Sequence, residues 1–150
     1  MKKIVNFGKL LHGGDYNPEQ WLDHPEISKQ DIEYFKKAHI NEVSIGIFSW
    51  STLEPREGEY HFEWMENLIN ELYENGISVI LATPSAARPK WMADQYPEVL
   101  RVDEYGNRDY FGGRHNHCYT SPIYREKITK IDQMLSEKFG NHPGVLAWHI

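Results

Sequence analysis

Strand-like and helix-like runs alternate singly along this chain, the loops after the strands are long, and the loops after the helices are short. Together these predict an α/β fold with a parallel sheet, arranged as about the first four strands of a (β/α)8 TIM barrel. A doubly wound sheet fits the alternation as well. The loop asymmetry favours the barrel, and the absence of a Gly-x-Gly-x-x-Gly or phosphate loop after the first strand lowers the nucleotide-binding reading. A closed barrel typically takes ~250 residues, so residues 1–150 read as the N-terminal half of such a domain.

The elements follow in order. Leu10-Leu11-His12-Gly13-Gly14 reads as a short buried strand ending in a glycine turn. Ile27 to Ala38 reads as a helix with Ile27, Ile32, Phe35 and Ala38 roughly on one face, and Ser28 with Asp31 offers a capping-box-like start. Glu42 to Phe48 is the second strand. Glu63 to Asn75 is the clearest helix: Trp64, Met65, Leu68, Ile69 and Leu72 keep the 3.6-residue period, and Gly76 is a natural stop. The β-branched run Ile77 to Ala82 is the third strand. A long loop rich in proline, arginine and aromatics runs from Thr83 to about Thr120, with a turn at Asp103-Glu104-Tyr105-Gly106-Asn107. Ser121-Pro122 opens the third helix, with serine at the N-cap and proline at the first helical position. Tyr124, Ile128, Ile131 and Leu135 form its stripe, and Gly140 ends it. Gly144 to Ile150 is the fourth strand.

The 150 residues suffice for one ordinary core. The formal net charge of -6 argues against a nucleic-acid partner. Charges are interspersed, with neither a basic stripe nor an acidic tail. A single cysteine, Cys118, allows no internal disulfide and fits a reducing, cytoplasmic location. The N-terminus, Met1 to Lys9, begins like a signal peptide but lacks an apolar stretch of sufficient length, and no segment reads as a membrane span.

Chemistry concentrates in three clusters, each placed after a strand-like run. They are Gly13-Gly14-Asp15-Tyr16-Asn17-Pro18-Glu19-Gln20-Trp21, then Phe48-Ser49-Trp50 with Leu53-Glu54-Pro55, then Gly113-Arg114-His115-Asn116-His117-Cys118. Loops after strands build the active face of a barrel. Aromatic faces pack on the apolar C–H face of a pyranose, and guanidinium forks hold hydroxyls. Aromatic residues make up 13% of the chain, and many fall in these loops rather than at periodic core positions. Arg114 is the leading binding candidate, with a surface salt bridge as its plain alternative. Trp50, just past a strand end, divides between a pocket wall and a core residue with its indole N–H satisfied. For Trp21 and Trp91 the core or loop-anchor reading leads. Glu54, Glu19 and Asp15 read as loop-organising acids that accept backbone N–H bonds, not as catalysts. His115, His117 and Cys118 could form a small metal site, although ligands two residues apart seldom bind without a further partner. His149 could face the active side or pack in the barrel.

The first two clusters, together with Pro122-x-Tyr124-Arg125 and the closing Ala147-Trp148-His149-Ile150, resemble the family 42 glycoside hydrolases, the β-galactosidases. The motifs stand in family order and spacing over nearly the whole chain. The resemblance implies a parent that hydrolyses terminal non-reducing β-D-galactosyl residues of small galactosides with retention. Two glutamates would do this: one an acid/base in an Asn-Glu pair at the end of the fourth strand, the other a nucleophile from a later strand. Both would fall beyond Ile150, so no residue of this chain is assigned as catalytic, and the chain by itself is expected to be inactive. A non-catalytic sugar-binding module is the alternative. Arg114 resembles the family arginine that reaches a galactose hydroxyl beside the acid/base. Cys118 matches a position that in some members joins three later cysteines around a structural zinc, and catalysis requires no cofactor. The resemblance further implies a homotrimer for the longer parent.

Overall fold

The computed structural model describes residues 7–113 and 115–150. Four strands form one parallel sheet in the order β1-β2-β3-β4: Gly13–Asp15, Glu42–Ile45, Ser78–Ala82 and Val145–His149. Strand order therefore follows chain order without reversal. A doubly wound sheet reverses direction at a switch point, whereas a barrel adds each strand beside the last. The observed order is that of a barrel wall.

Helices α1 (Pro25–Lys37), α2 (Trp50–Leu53), α3 (Glu63–Glu74), α4 (Lys90–Gln95) and α5 (Pro122–Phe139) lie between and after the strands. Val43 and Ile45 of β2 and Val79 and Leu81 of β3 share one sheet face by the two-residue strand period. They join Ile32 of α1, Met65, Ile69 and Leu72 of α3, and Ile131, Leu135 and Phe139 of α5 in a single buried core. The alternate residues turn to the other face, where the Ser44 hydroxyl donates to Glu42 Oε1 at 3.3 Å.

The helix boundaries have local causes. α5 begins where predicted, with Tyr124 N–H donating to Ser121 Oγ at 3.4 Å and Pro122 at the first position. α3 ends at Asn75, and Gly76 takes a φ of +75°, the left-handed turn that favours glycine. α1 corrects the expectation. It starts at Pro25, capped by His24, so Ser28 and Asp31 lie inside the helix and form no capping box. Proline at the first helical position, where no N–H is needed, sets the earlier start. Asp31 instead accepts the Tyr16 hydroxyl at 3.0 Å, tying α1 to the end of β1.

Three further differences concern the strands and loops. β1 is three residues long and exposed throughout, not a buried strand over residues 10–14, because it is the edge of the sheet. Gly13 is needed there, since any Cβ would collide with the Glu42 carbonyl oxygen. β2 stops at Ile45, because Gly46 at φ +92° turns the chain toward α2. The segment 83–120 is not a plain loop. It holds two 3-10 turns, Pro84–Ala86 and Pro97–Val99, with α4 between them, and antiparallel bridges pair Leu100 with His117 and Val102 with Arg108. The turn at residues 103–107 forms as expected. Asp103 Oδ1 accepts the N–H groups of Tyr105 and Asn107, and Gly106 sits at φ +86°. Among the described residues no helix is long and apolar enough to cross a membrane.

Candidate active site

A cavity of about 220 Å³ opens at the C-terminal ends of β2 and β3. Phe48, from the turn after β2, forms one side. Ala86, Ala87 and Arg88, in the loop after β3, and Phe111, Gly112 and Gly113 complete its lining. This is the end of the strands where barrel enzymes place their chemistry. Two aromatic walls beside one guanidinium suit a ligand with an apolar face and a rim of hydroxyls.

Arg88 is the charged group of this cavity, and only 5% of it is exposed. Its Nη2 donates to Asn116 Oδ1 at 2.6 Å, and its Nη1 donates to His117 Nδ1 at 3.4 Å. The guanidinium carbon lies 5.5 Å from the centre of the Phe111 ring, within cation–π range. Among the described residues Arg88 Nε has no hydrogen-bond partner, and no carboxylate forms an ion pair with Arg88. Burial pulls its pKa below the usual guanidinium value.

His117 is almost wholly buried and packs between two tyrosines, with ring centres 4.4 Å from Tyr124 and 4.6 Å from Tyr119. Burial first, and then the Arg88 charge, pull its pKa down to about 4. It is therefore neutral at pH 7, with Nδ1 free to accept from Arg88.

The Phe48-Ser49-Trp50 cluster divides between two roles. Phe48 lines the cavity. Trp50, which could have been a pocket wall or a core residue with a satisfied indole N–H, is the latter: it is fully buried in the core, which corrects its place among the substrate-binding candidates. After Gly46 the chain turns straight into α2, which swings the indole inward. There its Nε1 donates to Glu54 Oε2 at 2.8 Å. Glu54 Oε1 accepts Gly58 N–H at 2.8 Å, and the Glu54 carbonyl accepts Trp91 Nε1 at 2.8 Å. Glu54 thus organises its loop, and Trp91 anchors to it. Trp21, by contrast, is 44% exposed on a 3-10 turn and belongs to no core. Glu19 is half-buried after β1; burial raises its pKa, while its own backbone N–H and the Ser49 hydroxyl hold it partly down. Asp15 is exposed at the end of β1, and His149 is exposed at the end of β4.

Arg114 lies outside the described residues; its neighbours Gly113 and His115 are described. The local metal site sketched from His115, His117 and Cys118 does not assemble. His117 is committed to Arg88 and the tyrosine rings, and Cys118 Sγ contacts Thr120 Oγ1 at 3.1 Å, which draws the thiol below its usual pKa. Among the described residues no three His, Cys, Asp or Glu side chains converge to hold an ion. One thiol does not satisfy tetrahedral zinc, which needs four ligands.

Sequence reasoning passed over Arg88 and Phe111. The available signal was the Ala-Ala-Arg-Pro run in the loop that follows the third strand, a loop of the kind that carries function in a barrel.

The family model described as β-galactosidase, glycoside hydrolase family 42, matches residues 15–150. The chain belongs to glycoside hydrolase family 42. Within it, the chain is 54% identical over 145 residues to the β-galactosidase BglY of Alicyclobacillus acidocaldarius, covering 97% of this chain and 21% of that protein. It is 54% identical over 141 residues to the β-galactosidase GanA of Bacillus subtilis, covering 94% and 21%. The crystal structure of the cold-adapted β-galactosidase from Rahnella sp. R3 superimposes with a TM-score of 0.92 at 57% identity, covering 94% of this chain and 21% of that one. The chain therefore spans about a fifth of the length of the family 42 relatives it matches. Their resemblance supports the barrel wall deduced from strand order.

Proposed function

We propose that this chain is the front of the catalytic barrel of a retaining β-galactosidase. The longer protein would hydrolyse terminal non-reducing β-D-galactosyl residues of small galactosides. The observation that carries this reading is the family match over residues 15–150, in which the named relatives are β-galactosidases. The cavity at the ends of β2 and β3, with Phe48, Phe111 and Arg88 around it, would receive part of the sugar.

Retention needs two carboxyls ~5–5.5 Å apart across the scissile bond, one as acid/base and one as nucleophile. The family pattern puts the acid/base in an Asn-Glu pair just after a strand equivalent to β4, and the nucleophile on a later strand. Neither role falls to a glutamate of this chain. Glu54, the most buried candidate, already uses both oxygens on Trp50 and Gly58. Arg114 would hold a galactose hydroxyl beside the acid/base. Cys118 would contribute one ligand to a structural zinc only if three more came from elsewhere in a longer chain. A homotrimer and a cytoplasmic location complete the reading.

The test follows a full-length protein carrying this chain as it hydrolyses an aryl β-D-galactopyranoside, with the first-formed galactose observed by NMR. β-Galactose appearing first supports the reading; α-galactose first, or no hydrolysis, overturns it. In that protein Arg114→Ala is expected to lower kcat/KM by about 100-fold while the melting temperature stays near wild type. A wild-type rate would remove Arg114 from the site.

A further inference from the structure

Among the described residues, the partners of the buried Arg88 cation are a neutral amide, a neutral imidazole and an aromatic face. Burying such a group is costly unless it is paired and hydrogen-bonded. Its surroundings indicate what the position demands. Asn116, the acceptor of its shortest hydrogen bond, passes the constraint on in two directions. Asn116 Nδ2 donates to the Tyr110 carbonyl, next to Phe111, and the Asn116 carbonyl accepts Arg101 N–H at 3.0 Å. A Cβ on Gly113 would sit 3.2 Å from Asn116 Nδ2, so the cavity wall rests directly against that amide. Further along, Cys118 N–H donates to the Val99 carbonyl at 2.8 Å, fixing the outgoing end of the segment. The Arg88 guanidinium, in the loop after β3, is thus linked through Asn116 to the Tyr110 carbonyl beside Phe111 and to the backbone of Arg101.

We propose that Arg88 is a positioning residue for the sugar pocket: through Asn116 and His117 it sets the wall formed by Phe111, Gly112 and Gly113. The inference rests on the proposed galactosidase reading and deepens it. A fork geometry is required, because one ammonium cannot aim at Asn116 Oδ1 and His117 Nδ1 from the same stem while lying over Phe111. His117 must also stay neutral to accept, which its low pKa allows.

The experiment uses the full-length protein with Arg88→Met, Arg88→Lys, Asn116→Ala and the Arg88→Met/Asn116→Ala double variant. Both Arg88→Met and Asn116→Ala are expected to lower kcat/KM for an aryl β-D-galactopyranoside by about 100-fold, the scale of a small misplacement in a site. The lysine is expected not to rescue, and the double variant to lose no more than either single, because both act through one contact. Melting temperatures should stay within a few degrees of wild type. Wild-type kcat/KM in Arg88→Met and Arg88→Lys, or losses that multiply in the double variant, overturn the proposal. Should Arg88→Met fail to fold, Arg88→Lys carries the same comparison. Tryptic cleavage at the exposed Arg101 and Arg108 gives a readout independent of activity. The Arg88 variants should be cut faster than wild type, and equal cleavage overturns the clamp. A wild-type protein that hydrolyses no galactoside, yet whose Arg88 variants are cut faster, sinks the galactosidase reading and leaves the clamp standing.

Discussion

Two buried charges sit in the loops after adjacent strands, and their surroundings differ. Glu54, after β2, is 3% exposed, and each of its oxygens accepts one hydrogen bond at 2.8 Å. Arg88, after β3, is 5% exposed, has one firm hydrogen bond and one long one, and leaves Nε without a partner among the described residues. A satisfied buried group holds architecture. A partly satisfied one beside a cavity is tolerated where function asks for it. The comparison teaches that burial alone does not separate a loop tie from a site residue; the balance of donors and acceptors does.

The largest effect expected from this contrast is on stability. Glu54→Ala orphans one buried donor, Trp50 Nε1, and releases the exposed Gly58 N–H to water, and should cost about 2 kcal/mol. Arg88→Met relieves a desolvated charge while orphaning two acceptors, Asn116 Oδ1 and the more distant His117 Nδ1, and should fall within about 1 kcal/mol of wild type. Urea unfolding of both variants checks the pair. Equal losses would erase the distinction drawn between the two groups.

A smaller effect sharpens the Arg88 side. His117 has a folded pKa near 4, below the ordinary imidazole value of 6.5. The unfolded chain takes up this proton first, so the stability it contributes is complete above pH 6.5 and is lost as pH falls toward 4. His117→Asn keeps an acceptor near Arg88 without the titration, and its melting temperature should fall less steeply over that window. A parallel fall in both proteins would show that the ring is not held neutral against Arg88.

The smallest effect comes from a half-buried charge on α5. Asp132 Oδ1 is buried without a hydrogen-bond partner, and burial raises the carboxyl to about 6 from 3.8. Here the folded state holds the proton longer, so the stability is present below pH 4 and is lost as pH rises through 6. Asp132→Asn should gain on wild type between pH 4 and 6 and keep a constant advantage above. Melting curves at pH 4, 5, 6 and 7 read this directly. No gain above pH 6 would mean that the carboxylate finds a donor in solution.

Much of this was legible along the chain. The Ser121-Pro122 start of α5, the glycine stop after α3 and the turn at residues 103–107 are dictated by residues within a few positions of one another. The Phe48-Ser49-Trp50 cluster was legible as a strand-end cluster, but the sequence pointed to Trp50 as its pocket residue, and it is Phe48 that lines the cavity. Trp50 was not legible. Two residues beyond Phe48, it turns inward because α2 begins there, and a helical turn after a strand reverses the outlook of neighbouring side chains. Arg88 was not legible either, since its partners Asn116 and His117 are brought to it by the fold of residues 84–120 and by bridges such as Leu100 to His117.

By itself the sequence determined the alternation of strands and helices, the start of α5 and the stop of α3, and the family, because those rest on local propensity and on motifs that stand in order. Only the tertiary structure decided which of the buried polar groups are satisfied. That balance depends on atoms far apart in the chain meeting within hydrogen-bond distance, and periodicity carries no information about it.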